Sequence, residues 1–389
     1  MNKKLNTFLL IASLMFAFYG CSSIHSRHKA DIMSHGQVME LLNETFDDNF
    51  PLPVVNPFEI SDEMKDFVEK NTRAYQTPEA VFNSIVDSIF SSTEPVIYDE
   101  RKTHTAIETF ETRTGNCLSL TNMFIAMSRY ARLDTFFIEV LDHMAWTSDG
   151  DIIMNNGHII AGMNFYKLKM RGGVPSGYIT VDFYPSRPKT YRHLEAIDDL
   201  LAIVYFYNNL GVELLRNNET DRAIILFENI LRLNKASDKV YNNLGVSYSK
   251  KRDFQKAYEC YENGFKHNDK NISILTNLVF LSEFLQKDES FAFYSIKLEE
   301  IKNTNPYYFL QKAGQNLLNE DREGFFKNIR TAERLDPDIP DIYLLYVKYY
   351  IREKDYVLAK KNLEKAEKLK IDTETSRLFE KKLDYFMKK

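Results

Sequence analysis

At 389 residues the chain is too long for one compact domain, and two or three are expected. Its composition is globular, 44% hydrophobic and 27% charged, and a net charge of −5 excludes the basic excess of a nucleic-acid binder. Cysteine occurs at 21, 117 and 260 only, which excludes a disulfide framework.

Residues 1–21 have the layout of an export signal. Asn2-Lys3-Lys4 is a basic start, residues 5–18 are mostly apolar and too few to span a bilayer, and Tyr19-Gly20-Cys21 closes the segment. Gly20-Cys21 resembles the end of a bacterial lipobox, although Phe18 and Tyr19 depart from its usual residues. The resemblance implies Cys21 as the lipidated first residue of the mature protein. The other readings are an uncleaved anchor or an ordinary signal peptide cut nearby. On each the protein is exported; as a lipoprotein it is held in the cell envelope, and Ser22 after the lipid site leans towards the outer membrane where one exists.

Residues 22–57 read as a tether with scattered His25, His28 and His35, and Pro51, Pro53 and Pro57 favour extended backbone. A domain is expected over 58–197. Ser61 caps a helix running to Lys70, and Thr77-Pro78-Glu79 starts a second with Val81, Ile85, Ile89 and Phe90 on one face. A charged loop over 98–103 and a short helix over 106–112 follow. Arg113-Thr114-Gly115-Asn116-Cys117 is then a turn running into a helix whose Leu120, Phe124, Met127 and Ala131 recur at helical spacing. Gly115-Asn116 carries the backbone into the turn and puts Cys117 in the first turn of the helix. A thiol there meets the positive end of the helix dipole, which favours a nucleophilic thiolate; the plain alternative is a small buried hydrophobe.

Residues 135–141 (TFFIEVL) form a strand, and 142–156 read as a long polar loop with His143 and the only tryptophan, Trp146. His158 opens the apolar run 159–163, and Asp182 lies inside a second strand within 177–185. Adjacent antiparallel strands bring that imidazole and carboxylate together, facing the helix end that carries the thiol. His143 is the second choice for the base. His104, thirteen residues before Cys117, reads as structural, and neither Glu108 nor Glu111 is given a catalytic role. No H-E-x-x-H, cysteine pair, cation-binding loop or glycine-rich phosphate loop occurs, so neither a metal nor a cofactor is expected.

Cys, His and Asp in this order, on a helix start and two strands, resemble the transglutaminase-like domain of the papain-like cysteine-enzyme superfamily, in the bacterial form followed by tetratricopeptide repeats. The resemblance implies an α+β domain with the cysteine helix packed on a small antiparallel sheet. It implies Cys117 as nucleophile, His158 as general base and acid, and Asp182 orienting His158. It also implies cleavage or transfer of amide bonds. The competing reading is a non-catalytic scaffold in which this domain only docks.

Residues 187–197 read as a linker to an all-α superhelix over 198–389. Tyr207-Asn208-Asn209-Leu210-Gly211-Val212 returns 34 residues later as Tyr241-Asn242-Asn243-Leu244-Gly245-Val246. Ala223 and Phe227 match Ala257 and Tyr261 at the same shift. This is the tetratricopeptide period, with weaker units through Asn277-Leu278, Ala313-Gly314 and Tyr346. Cys260 falls inside the array as a packing residue. Asn209, Asn243 and Asn277 share one position in three units. They either line an inner groove that binds the backbone of a protein or peptide partner, or bond between neighbouring helices.

Overall fold

The structure is a computed structural model that describes residues 32–72, 77–90, 96–149, 152–166, 176–183, 191, 194–369 and 373–387, without the side chains of 142–157, 165–166, 176–177 and 373–375. The segment read as an export signal, with Cys21, and His25 and His28 lie outside these residues, as do the side chains of His143 and Trp146. The chain divides into two compact units: Met1–Ala145, Asn156–Pro185 and His193–His267 form the first, and the remaining residues the second.

In the first unit, α1 (His35–Thr45), α2 (Asp62–Asn71) and α3 (Pro78–Phe90) precede a short parallel pairing of β1 (Ile97–Tyr98) with β2 (Thr114–Gly115), between which lies α4 (Ala106–Thr112). Helix α5 (Cys117–Tyr130) follows. Every residue from Leu118 to Ser128 is buried, so α5 is a central helix rather than an amphipathic surface one. Its Phe124 meets Phe82 of α3 edge-on at 5.0 Å. A four-stranded sheet completes the core, in the order β5 (Ser176–Val181), β4 (Ile152–Tyr166), β3 (Thr135–Asp149), β6 (Leu194–Ile197).

Three expectations are corrected here. The stretch read as a tether holds α1, started by a reciprocal cap between Ser34 and Gln37 and buried through Val38 and Leu42. That i, i+4 apolar pair was the sequence signal, and the prolines after it drew the reading towards extended chain. In the polar stretch expected as a loop, the described residues are strand: β3 runs on to Asp149, β4 begins at Ile152, and the two are neighbours in the sheet. The linker 187–197 includes β6, which pairs antiparallel with β3 from Phe137↔Ile197 to Val140↔Leu194.

The first two repeats belong to this unit: α6 (Asp199–Arg216) with α7 (Thr220–Leu233), and α8 (Asp238–Lys250) with α9 (Phe254–His267). The helices of each pair cross at glycine. A Cβ on Gly211 would stand 2.4 Å from the Phe227 ring, and one on Gly245 would stand 2.5 Å from the Tyr261 ring. Helix α6 is fastened to the rest of the unit at four points. Asp199, 1% exposed, takes a two-pronged ion pair from Arg129 at the end of α5, with N–O distances of 2.7 and 2.8 Å. The Tyr205 hydroxyl donates to Glu139 of β3 at 2.7 Å, and Tyr207 exchanges hydrogen bonds with both backbone groups of Val55. Glu213 accepts the Thr103 amide at 2.6 Å.

The second unit carries three more helix pairs, α10 (Ile272–Phe284) with α11 (Asp288–Thr304), α12 (Pro306–Leu318) with α13 (Arg322–Leu335), and α14 (Pro340–Arg352) with α15 (Tyr356–Lys368), followed by α16 (Thr373–Met387). Its core is rich in aromatic contacts such as Phe325 on Tyr349, stacked at 4.6 Å. Helix α16 closes the last pair by burying Phe379 and Leu383 and stacking Phe386 on Tyr356.

The repeats that were faint in sequence keep strict register in the backbone. Asn218, Arg252, Gln286, Glu320 and Lys354 stand 34 residues apart, and each is left-handed, with φ between 56° and 63°. Each sits in the turn between the helices of its pair. The following amide reaches back to a carbonyl five residues earlier, from Glu219 to Leu214 and so on to Asp355 to Tyr350, at 2.8–2.9 Å. This is the six-to-one bond of a Schellman ending, normally built on glycine.

Candidate functional site

The site is assembled at the first turn of α5. Arg113 ends α4 with φ 54°, so the left-handed step into the turn falls there. Gly115 is required for space: a Cβ on it would lie 2.6 Å from Cβ of Ser119. Asn116 is the N-cap, its Oδ1 accepting the Ser119 amide and hydroxyl, each at 3.0 Å. Cys117 therefore occupies the first position of the helix and is half-buried, within reach of solvent.

His158 lies on β4 and is 1% exposed. One residue on, the Ile159 carbonyl accepts the Thr121 hydroxyl at 3.3 Å, which pins the strand to α5 one turn beyond Cys117. Strands β4 and β5 pair antiparallel with Ala161 opposite Val181. Continuing that register by one puts Ile160 opposite Asp182, so His158 and Asp182 are diagonal neighbours on one face. Asp182 lies just past the end of β5 rather than inside it. Phe183 next to it is buried against Phe90 and Phe124, at 5.7 and 5.6 Å between ring centres, and seats the carboxylate.

The three groups meet. Both Asp182 carboxylate oxygens stand 3.0 Å from His158 Nε2, and the Cys117 side chain is hydrogen-bonded to the same ring. Burial opposes a charge on this imidazole, but the hydrogen bonds to Asp182 and Cys117, with their charges, outweigh it, and His158 is pushed up to about 10. The arrangement is a thiol, a proton-holding imidazole and a carboxylate that fixes it, which can carry nucleophilic attack and proton return.

His104 has a structural place, with Nδ1 3.0 Å from the Thr114 carbonyl oxygen and its amide donating to Ser119 Oγ at 2.8 Å. Sequence reading missed Thr103 and Glu213. The Thr103 hydroxyl accepts Asn116 Nδ2 at 2.9 Å, while its amide donates to Glu213 at 2.6 Å. Burial pushes the Glu213 carboxyl up, and hydrogen bonding from Thr103 works against that. No local pattern announces a pair 110 residues apart.

Of the two readings of the repeat asparagines, a bond between neighbouring helices is seen at Asn243. Asn243 is buried and donates to Asn208 of the preceding repeat at 2.9 Å. Asn277 is also buried, and Asn209 is half-buried. Asn243 thus bonds between neighbouring helices, and Asn208 rather than Asn209 is its partner. Among the described residues no group of three or more His, Cys, Asp or Glu is placed to hold a metal ion.

Comparison with known proteins bears on the repeats. The family model of the tetratricopeptide repeat matches residues 238–268, the α8–α9 pair. Among solved structures, YrrB, titled a TPR protein with an unusual peptide-binding site, is 18% identical over 46% of this chain and 92% of its own, with a TM-score of 0.25. PilF of Pseudomonas aeruginosa is 16% identical over 49% and 86%, with a TM-score of 0.26. MamA of Desulfovibrio magneticus RS-1 is 14% identical over 43% and 94%, with a TM-score of 0.25. No curated protein matches. The chain carries tetratricopeptide repeats, and ahead of them in sequence Cys117 of α5, His158 of β4 and Asp182 just past β5 are brought together.

Proposed function

We propose that this protein is a cysteine acyl-transfer enzyme of the transglutaminase-like type, held in the cell envelope through a lipid on Cys21, with repeats that recruit a protein partner or substrate. The observation that carries the reading is His158 bonded at once to Asp182 and to the Cys117 side chain. An imidazole that keeps its proton well above neutrality stabilises a thiolate beside it and holds the proton ready for a leaving group.

In this reading Cys117 Sγ attacks the carbonyl carbon of an amide, and the backbone N–H of Cys117, turned outward at the helix start, donates to the developing oxyanion. The C–N bond breaks as His158 delivers its proton to the departing amine, which leaves a thioester on Cys117. Water or a second amine gives its proton back to His158 as it attacks the thioester, so the thiolate and the imidazolium are restored. The first outcome is hydrolysis and the second transamidation. Asp182 holds the ring in place throughout.

Hydroxylamine intercepts the thioester on either route and yields a hydroxamate. The full chain incubated with model peptide amides and hydroxylamine is expected to form hydroxamate, and Cys117→Ala is expected to form none. Equal yields from the two would overturn the enzyme reading and leave the tetratricopeptide scaffold, which the repeats support by themselves. The lipid anchor is tested separately. Metabolic labelling with a fatty acid should be lost in Cys21→Ser, and labelling at the wild-type level would remove the anchor from the account.

A further inference from the structure

The hydrogen bonds behind Cys117 form one directed path that begins in the first repeat. Glu213 of α6 accepts the Thr103 amide at 2.6 Å and so holds the backbone that carries the Thr103 side chain. The Thr103 hydroxyl oxygen in turn accepts Asn116 Nδ2 at 2.9 Å. That contact decides which way the Asn116 amide is turned. With Nδ2 on Thr103, Oδ1 faces the helix and caps the Ser119 amide. Asn116 is the residue directly before Cys117, and its own amide is held by the Lys102 carbonyl at 3.0 Å. Thr103, Asn116 and Ser119 are all buried, so water has no ready access to replace a lost partner.

We infer that Glu213 is a positioning residue for the nucleophile: through Thr103 it fixes the orientation of the Asn116 cap and hence the first turn of α5 that presents Cys117. The inference rests on the reading of Cys117 as the nucleophile. It gives the first repeat a second task, because α6 is both a repeat helix and the support of the reactive turn. Arg129 and Asp199 tie the opposite end of α5 to the start of α6, so one helix of the array brackets both ends of the other.

The test uses the full chain with two readouts, the rate of iodoacetamide alkylation at Cys117 resolved by mass spectrometry and hydrogen exchange in peptides spanning 100–106 and 116–122. Glu213→Ala is expected to slow alkylation roughly tenfold, the loss from one or two buried hydrogen bonds, and to speed exchange in both peptides while the rest of α5 keeps its protection. Glu213→Gln retains an acceptor for Thr103 and should restore both readouts to within about twofold of wild type. Thr103→Val removes the bridging hydroxyl at constant shape and should reproduce Glu213→Ala, which keeps the test decisive if the alanine variant does not fold. A Glu213→Ala or Thr103→Val protein that melts earlier yet keeps wild-type exchange and alkylation would overturn the inference. An unreactive Cys117 in the wild type would instead remove the enzyme reading, and the exchange readout would still decide whether Glu213 holds the cap.

Discussion

His158 is the residue on which the account turns. Its folded value of about 10 lies above the ordinary 6.5, so the folded state holds the proton more tightly than the unfolded chain. The stabilisation is complete below pH 6.5 and is lost as pH rises towards 10. The stability difference between wild type and His158→Gln, from urea unfolding, should therefore narrow steadily across that window; a gap that widens with pH would reverse the assignment. Cys117, His158 and Asp182 were weak signals one by one and were singled out by their order, a cysteine at a turn-to-helix junction followed by His and Asp on successive strands. Thr103, Glu213 and the Arg129–Asp199 pair were not legible. Their partners are 70 to 110 residues away, and a polar residue carries no mark of the distant group it will meet.

At the scale of elements, periodicity was a good guide where a helix has one buried face and a poor one elsewhere. Helix α5 is buried all round, so its apolar stripe understated how central it is. The end of β3 and the start of β4 were hidden by polar residues, and β6 by its brevity. The later repeats were faint because they lack the Tyr-Asn-Asn-Leu-Gly-Val run of the first two. The turn position that marks all five pairs is taken by Asn, Arg, Gln, Glu and Lys where glycine is the usual signal. Each of these holds a left-handed backbone that costs an L-residue about 1–2 kcal/mol. Lys354→Gly is therefore expected to stabilise the second unit by up to about 1 kcal/mol, after the extra entropy glycine loses on folding. Thermal melting checks it. A fall in melting temperature would mean the Lys354 side chain contributes more than its strained backbone costs.

For the whole molecule, the domain boundary expected at 197/198 does not separate independent parts. The first two repeats share a compact unit with the sheet and α5, and Asp199, Tyr205, Tyr207 and Glu213 of α6 each hold a different part of that unit. The 34-residue pattern made the repeats plain but gave no hint that the first repeat also serves as a wall of the preceding domain. The same unit contains its own control, because Cys260 is buried in α9 with its thiol pushed up to about 12 by that burial. Site-resolved alkylation by iodoacetamide at pH 7 compares the two thiols in one sample. Cys117 should react at least about a hundredfold faster than Cys260, and His158→Ala should remove most of that advantage. Equal rates at the two cysteines, or a Cys117 rate unchanged in His158→Ala, would contradict the activated thiol on which the proposed chemistry depends.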